Sequence, residues 1–142
     1  MKTHHGSCHC GAVQFEVQLQ LDGKASRCNC TMCTKLGASG AIAKPEHFKL
    51  LKGESALKTY ARHPEIALRY FCSTCGIHCF SKGNLPELGG AFVGVHVNTL
   101  DDVDLGEFSF MYWDGRHDNW DAGLRTTPWP INAKTVATQY AG

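Results

Sequence analysis

The sequence predicts a mainly β protein that is held together by metal-binding cysteines. Segments of alternating apolar and polar residues recur along the chain, and eight cysteines fall mostly into tight clusters. Sustained helical periodicity is absent, so we expect few or no helices. The 142 residues suit one domain, and we expect a single zinc-binding domain over residues 1–142 with a polar, irregular C-terminal tail from about residue 116.

The clearest strand lies in VQFEVQLQL, residues 13–21, where apolar and polar residues alternate strictly. The residues of its apolar face are Val13, Phe15, Val17, Leu19 and Leu21. Asp22 and Gly23 follow, and Asp-Gly between two such segments is a strong hairpin signal. The return strand is expected in KASRCNC, residues 24–30, which would place the first two cysteine clusters on the two arms of one hairpin.

Seven further segments have the β-branched and aromatic content of strands, and turn dipeptides such as Lys52-Gly53 and Asp114-Gly115 separate several of them. These predicted strands cover residues 41–43, 48–51, 57–61, 66–71, 78–81, 91–97 and 108–113. Together with the first strand they predict a protein built mainly of sheets.

Charge and hydropathy argue against two classes of function. The 14 basic and 13 acidic residues are scattered and give a net charge of +1, so we expect no nucleic-acid partner. No segment approaches the roughly 20 apolar residues of a membrane span, and the start MKTHHGSCHCG lacks the apolar centre of a signal peptide. We therefore expect a soluble, cytoplasmic protein without a membrane partner.

The cysteines occur in three short motifs, CHC at 8–10, CNCTMC at 28–33 and CSTC at 72–75, with Cys79 close behind the last. Cysteines one or two residues apart pair poorly with each other but can present their sulfurs to one ion. A reducing compartment also disfavours disulfides. Zinc is the leading candidate metal because it is soft enough for thiolates and does not change oxidation state. A disulfide framework is the alternative.

Counting ligands divides the clustered cysteines into two sites. The first set consists of Cys8, Cys10, Cys72 and Cys75. Four thiolates form a closed, structural zinc site. The second set, Cys28, Cys30 and Cys33, has no obvious fourth ligand, and three protein ligands with an open position are typical of a catalytic zinc. The sequence thus predicts two zinc ions per chain.

Two other residues have alternative interpretations. Cys79 is expected to pack in the core as a small hydrophobic residue, the alternative being a fourth zinc ligand. His96, in VGVHVN, is expected on the open face of a sheet, the alternative being an acid/base group in a cleft. An iron–sulfur protein is disfavoured because the C-x2-C-x2-C run is absent.

The motifs together resemble a known family. GSCHCGAVQFEV, RCNCTMC and YFCSTCGIHCF are similar, in this order, to the glutathione-dependent formaldehyde-activating enzymes (S-(hydroxymethyl)glutathione synthases), a family that includes centromere protein V. VNTLDDVDL and WDGRHDNW resemble its C-terminal part. The resemblance implies an Mss4-like β-tent of antiparallel sheets stapled by zinc. It also implies the same division of the cysteines into a structural and a catalytic zinc site.

The activity implied by the resemblance is that of a carbon–sulfur lyase. It would condense formaldehyde, or a related aldehyde, with glutathione to give S-hydroxymethylglutathione, and catalyse the reverse. An incoming thiol could bind at the open position as a thiolate, with its pKa lowered from about 8.5. The arginines that could meet a glutathione carboxylate are Arg27, Arg62, Arg69 and Arg116. The alternative is a non-catalytic two-zinc scaffold or interaction module of the same fold.

Overall fold

The computed structural model describes residues 1–132, which form ten β-strands, one α-helix and seven short 3-10 helices. The predicted mainly β class is confirmed. In chain order the main elements are β1 (Lys2–Ser7), β2 (Gln14–Leu19), β3 (Lys24–Cys28), α1 (Thr31–Leu36), β4 (Gly40–Ala43), β5 (Phe48–Lys52), β6 (Leu57–Tyr60), β7 (Ala67–Cys72), β8 (His78–Leu85), β9 (Gly90–His96) and β10 (Ser109–Trp113). Part of the tail predicted from about residue 116, residues 133–142, lies outside the described residues.

The described residues group into two compact units. Unit 1 comprises Met1–Gln20 and Ala41–Asp104, and unit 2 comprises Leu21–Gly40 and Leu105–Gly142, the latter described as far as residue 132. The one α-helix among residues 1–132 is six residues long. No helix in that part of the chain is therefore long and apolar enough to cross a bilayer.

Unit 1 contains two groups of hydrogen-bonded strands. The first is an antiparallel sheet in the order β1-β2-β5. The second has the order β4-β9-β8-β7-β6, with antiparallel pairing from β9 through β6. On β2, the predicted alternation is observed, since Phe15, Val17 and Leu19 are buried whereas Gln14 and Gln18 are exposed.

Aromatic rings connect the two strand groups of unit 1. The Phe15 ring on β2 lies 5.5 Å from the ring of Phe48 and 5.9 Å from that of Phe80 on β8, measured between centroids. Phe80 also stacks on Tyr70 of β7 at 5.0 Å. Phe15 and Phe80 are fully buried, and burial at roughly 25 cal/mol per Å² of apolar surface makes these two rings part of the core of this unit.

Unit 2 is built on β3 and β10, which run parallel, with Trp113 opposite Cys28. This pair departs from the antiparallel pairing that was expected of the sheets. Ser26 of β3 also pairs with Gly40, the first residue of β4. Helix α1 begins after Cys30 and ends at Gly37, whose φ of 66° is the left-handed conformation that glycine adopts readily.

The hairpin predicted between the first two cysteine clusters is wrong, although its tight turn is present. Asp22 and Gly23 both have positive φ, 52° and 67°, and the Lys24 N–H donates to the Leu21 carbonyl at 2.9 Å. However, β2 is bordered by β1 and β5, so it has no free edge for β3. The partners of β3 are β10 and Gly40 instead.

The other predicted strands are confirmed as β4 to β10, with shifts of one or two residues at most of their ends. β8 is longer than expected and reaches Leu85. β1 was not predicted, because KTHHGS shows no apolar alternation, and α1 was not predicted, because six residues are too few to show a helical period.

Candidate metal centres

The first cysteine cluster lies in unit 1, where the β1–β2 loop meets the end of β7 and the turn after it. The loop supplies Cys8 and Cys10, and the end of β7 and its turn supply Cys72 and Cys75. The four sulfurs all lie within 4.8 Å of one another, with 3.6 Å between Cys8 and Cys10 and 3.7 Å between Cys10 and Cys72. Tetrahedral zinc with Zn–S bonds of about 2.3 Å requires sulfurs roughly 3.8 Å apart. The four sulfurs therefore fit one zinc ion.

Backbone N–H groups point at the sulfurs of this cluster. The Val13 N–H donates to the Cys8 Sγ at 3.3 Å, and the Thr74 N–H donates to the Cys72 Sγ at 3.4 Å. Gly76, with a φ of 77°, turns the chain so that its N–H donates to the Cys72 carbonyl at 2.8 Å. Such donors stabilise negative charge on sulfur, which is the form that binds metal.

The pKa values of these thiols diverge. Hydrogen bonds from the backbone at Cys10 and Ile77 lower the pKa of Cys75 to about 6. A backbone hydrogen bond at Ala12 favours the Cys10 thiolate, but burial and hydrogen bonding to the other cysteines outweigh it and raise the pKa of Cys10 to about 11. One thiolate thus forms readily and its neighbour resists ionisation, as expected where several sulfurs compete for negative charge without a cation.

Cys79 is fully buried, and its thiol donates to the Ile77 carbonyl at 3.8 Å. It belongs to neither cluster, so its prediction as a core residue is confirmed. None of the eight cysteines forms a disulfide, which contradicts the alternative of a disulfide framework.

The second cluster lies in unit 2, at the junction of β3 and α1. Cys28 is the last residue of β3, Cys30 is the N-cap of α1, and Cys33 lies in the first turn of the helix. The three sulfurs lie within 4.8 Å of one another. The Cys30 N–H donates to the Cys28 Sγ at 3.4 Å, and the Cys33 N–H donates to the Cys30 Sγ at 3.3 Å. The start of the helix thus gathers the three sulfurs.

Hydrogen bonding to Cys30 and Cys33 raises the pKa of the Cys28 thiol far above its ordinary value, and burial adds to the effect. Three thiolates can therefore share this space only if a cation lies among them. Three soft sulfur donors suit zinc. The donor set and its crowding fit the metal that the sequence predicted here.

Asn29, between the first two ligands of this cluster, is held by the segment after β10. Its side-chain amide donates to Asp114 Oδ1 at 2.8 Å, its Oδ1 accepts the Arg116 N–H at 2.9 Å, and its carbonyl accepts from Arg116 Nε at 2.8 Å. Gly115 lies so close that a Cβ there would overlap the Cys28 Sγ. We call the three hydrogen bonds of Asn29 to Asp114 and Arg116 the Asn29 clamp.

The carboxylate of Asp114 is the centre of this network. It is only 4% exposed, and it also accepts hydrogen bonds from His117 Nδ1 at 2.6 Å and Asn119 Nδ2 at 3.2 Å. Burial raises the pKa of Asp114, but the hydrogen bonds from Asn29, Asn119 and His117 outweigh it and hold the pKa below its ordinary value. Asp114 is therefore ionised at neutral pH.

Asn29 and Asp114 were not predicted as site residues. The polar segment WDGRHDNW indicates a cluster of hydrogen-bonding side chains, but no local pattern connects Asp114 to a residue 85 positions earlier.

A cleft of about 420 Å³ opens beside the second cluster. Its lining residues include Arg27, Cys28, Cys33, Tyr112, Trp129 and Ile131. The Trp129 indole N–H donates to the Tyr112 carbonyl at 3.0 Å, and the Arg125 guanidinium stacks on the Trp129 ring at 3.6 Å from its centroid. The cleft thus has one wall of cysteine sulfur and one of aromatic and aliphatic carbon.

Arg27 is the one cationic side chain that lines this cleft among the described residues. Its guanidinium lies 3.7 Å from the Phe110 ring centroid, and its Nε donates to the Ser39 hydroxyl at 3.0 Å. These contacts leave its terminal nitrogens without a partner in the described part of the chain. The other candidate arginines lie elsewhere, Arg116 in the Asn29 clamp, Arg62 at an exposed position and Arg69 on β7 of unit 1.

The expectation that His96 faces solvent is wrong. His96 is only 8% exposed. The neighbouring Val95 and Val97 are buried as well, so both faces of this part of the chain are covered. Burial, followed by the proximity of His78 and Arg69, lowers the pKa of His96 to about 4. The imidazole is therefore neutral at physiological pH.

Two comparisons relate the chain to known proteins. A sequence profile of the family described as "Glutathione-dependent formaldehyde-activating enzyme" matches residues 3–113, a span that includes both cysteine clusters. The crystal structure of a Rhodobacter sphaeroides protein resembles this structure with a TM-score of 0.63 and 30% sequence identity, over 89% of this chain and 99% of that one.

Proposed function

The chain belongs to the glutathione-dependent formaldehyde-activating enzyme family, and on this premise we propose that it is a zinc-dependent carbon–sulfur lyase. The proposed reaction condenses formaldehyde, or a related aldehyde, with glutathione to give S-hydroxymethylglutathione, and is reversible. Cys28, Cys30 and Cys33 would hold the catalytic zinc. The proposed ligands of the structural zinc are Cys8, Cys10, Cys72 and Cys75.

The observation that carries this proposal is the position of the cleft. Cys28 and Cys33 form part of its wall, so a ligand in the cleft can reach the sulfur cluster. The cluster offers three protein ligands among residues 1–132, one fewer than a closed tetrahedral site needs. Zinc bound there would supply a Lewis-acidic position that accepts a thiol as fourth ligand and lowers its pKa.

The chemical step needs no oxidant or reductant. The sulfur of glutathione forms a bond to the aldehyde carbon, the C=O double bond becomes a single bond, and the proton lost by the thiol is balanced by the proton gained by the new hydroxyl. The cleft residues would bring thiol and aldehyde together, since proximity alone removes several kcal/mol from the barrier of such a bimolecular addition. Condensation and its reverse are therefore both compatible with this site.

The side chains of the cleft suggest how the thiol would be oriented. The terminal nitrogens of Arg27, which have no partner among residues 1–132, would receive a carboxylate of glutathione, because guanidinium and carboxylate form paired hydrogen bonds. Tyr112 and Trp129 would cover the apolar part of the ligand and restrict water. The Asn29 clamp would hold the loop between Cys28 and Cys30 in place as the ligand enters.

The proposed partners are small molecules, a thiol and an aldehyde. The proposed compartment is the cytoplasm, where glutathione keeps thiols reduced. The absence of disulfides among the eight cysteines supports this assignment, because each of the seven in the two clusters must remain reduced to bind metal.

The test is NMR exchange spectroscopy on formaldehyde and glutathione, with the zinc-loaded protein, without protein, and with the Cys33→Ser variant. We expect the parent to accelerate interconversion of free formaldehyde and the adduct, and Cys33→Ser to restore the uncatalysed rate. An exchange rate that the fully zinc-loaded parent leaves unchanged would contradict the lyase and favour the non-catalytic two-zinc scaffold.

A further inference from the structure

Three side chains with hydrogen-bond donors stand together on one face of a sheet in unit 1. They come from three neighbouring strands, Arg69 from β7, His78 from β8 and His96 from β9. The His78 and His96 rings lie nearly parallel, with 6.4 Å between their centroids. The register places Arg69 opposite Ser81, and Ser81 opposite Gly94, two residues from His96. Alternation puts His96 on the face of Gly94 and Phe71 on the face of Arg69. His78 is opposite Phe71, because the register of β7 and β8 shifts between Tyr70 and Phe71. The three side chains therefore share one face.

None of the three side chains has a hydrogen-bond or ion-pair partner among residues 1–132. His78 Nδ1 is buried without a partner. His96 is 92% buried and its ring makes no hydrogen bond within residues 1–132, and no carboxylate in that range pairs with the Arg69 guanidinium. More than nine in ten buried polar groups in proteins have a partner, so the buried His78 Nδ1 is unusual and points to a missing ligand beside these donors.

The Ser81 hydroxyl lies directly beside Gly94. A Cβ built at Gly94 would lie 2.7 Å from the Ser81 hydroxyl, closer than non-bonded atoms approach, and 3.7 Å from Cδ1 of Ile42. The glycine therefore allows the Ser81 hydroxyl to occupy this position on the sheet face and adds a further donor to the group. Phe71 stacks on His78 at 5.0 Å between centroids and fixes the position of that ring.

The charges of the group favour an anion. Burial and the nearby Arg69 lower the pKa of His78, and burial lowers that of His96 to about 4. At neutral pH each ring is therefore uncharged and keeps one N–H donor, while Arg69 carries a full positive charge. The group offers one cation and several donors, and no carboxylate among residues 1–132 is paired with them.

We propose that Arg69, His78 and His96, together with the Ser81 hydroxyl, form a binding site for a small oxyanion such as a carboxylate or phosphate group. The planar guanidinium of Arg69 would make paired hydrogen bonds to two oxygens of the anion, and the two imidazole N–H groups and the hydroxyl would bind around it. This site is separate from the cysteine cluster of the proposed lyase, and it does not depend on that activity.

The test is a titration of the zinc-loaded protein with sodium acetate and, separately, sodium phosphate at pH 7, with sodium chloride keeping the ionic strength constant. The readouts are the ring resonances of His78 and His96 in NMR spectra and the heat of binding. We expect saturable shifts of both rings with at least one of the two oxyanions and no such shifts in chloride. Response to acetate alone would identify a carboxylate site, and response to phosphate alone a phosphate site.

Variants connect the response to the proposed residues. Arg69→Gln should weaken anion binding at least tenfold, whereas Arg62→Gln, at an exposed position elsewhere, should bind like the parent. Arg69→Lys keeps the positive charge but loses the planar pair of donors, so it should bind the anion with intermediate affinity. This variant replaces Arg69→Gln in the test if Arg69→Gln does not fold. Shifts that do not saturate, or equal affinity in the Arg69 variants and the parent, would overturn the proposal.

Discussion

The side-chain amide of Asn29 donates a 2.8 Å hydrogen bond to the carboxylate of Asp114, and Asn29 is the residue between Cys28 and Cys30. A short loop at a helix start thus depends on a buried carboxylate from the other end of the sequence. Because Asp114 also binds His117 and Asn119, its removal would free several donors at once. The geometry of the second cysteine cluster should therefore be sensitive to Asp114.

The first prediction is that Asp114→Asn lowers both thermal stability and the zinc content of the second cluster. Unsatisfied buried hydrogen-bonding groups cost about 1–3 kcal/mol, and each kcal/mol shifts the melting temperature of a domain this size by roughly 2–8 °C. Calorimetry and elemental analysis measure the two effects. Asp121→Asn, an exposed carboxylate nearby in the sequence, is the matched control and should change neither.

The same variant should alter the pH dependence of stability in acid. Because the pKa of Asp114 is lower in the folded chain than its ordinary 3.8, its stabilising effect is complete above about pH 4. It is lost as the pH falls through the folded value. Denaturant melts from pH 6 to pH 2 should show a smaller loss of stability in Asp114→Asn than in the parent, and equal slopes would contradict the assignment.

His96 should produce a pH dependence in a different window. Its folded pKa of about 4 lies below the ordinary 6.5, so the unfolded chain takes up a proton first as the pH falls. Stability should therefore decrease between pH 6.5 and pH 4, by at most about 3 kcal/mol. His96→Gln removes the titrating group and should flatten melting curves in this range, with His47→Gln as the control on another part of unit 1. A parent whose stability is constant over this range would refute the prediction.

Elemental analysis should find about two zinc ions per chain in protein purified without chelator. The reason is that two separate groups of sulfurs, each within 4.8 Å, provide two soft donor sets. A single zinc, or iron in its place, would disagree with the two-site assignment.

Cys72→Ser should yield unfolded or insoluble protein. Zinc bound to small folding peptides contributes about 10–16 kcal/mol, as much as the roughly 5–15 kcal/mol by which a whole domain is stable. Cys79→Ala is the matched control, because Cys79 is equally buried but belongs to neither cluster. The control should fold with two zinc ions. If Cys72→Ser remained soluble with the parent melting temperature, the structural zinc assignment would be wrong.

Cys33→Ser should fold, contain one zinc ion and lose any glutathione-dependent activity. The loss of the Cys33 sulfur removes one ligand from the cluster of unit 2, whereas the four sulfurs of the unit 1 cluster remain. Melting temperature and zinc content are measured with and without glutathione, which should stabilise the parent and leave the variant unchanged. A large drop in the melting temperature of Cys33→Ser, with no glutathione effect on the parent, would instead identify a second structural site.

Local sequence patterns determined the strand around Phe15 and the closeness of the sulfurs within each cysteine motif. Cysteines one or two residues apart must place their sulfurs close together, and a strand repeats every two residues, so CNCTMC and the alternation around Phe15 could be interpreted without any tertiary information. The two groups of cysteines predicted by counting zinc ligands are the two whose sulfurs lie within 4.8 Å of one another in the structure.

Only the tertiary structure decided which distant segments meet. The Asp22-Gly23 turn forms, but β3 pairs in parallel with β10 because both edges of β2 are already occupied. Asn29 and Asp114 carry no local mark of their hydrogen bond, and His96 looks solvent-facing in a strand that is in fact covered on both sides. Burial and hydrogen bonding between residues far apart depend on how sheets pack, and no short window of sequence contains that information.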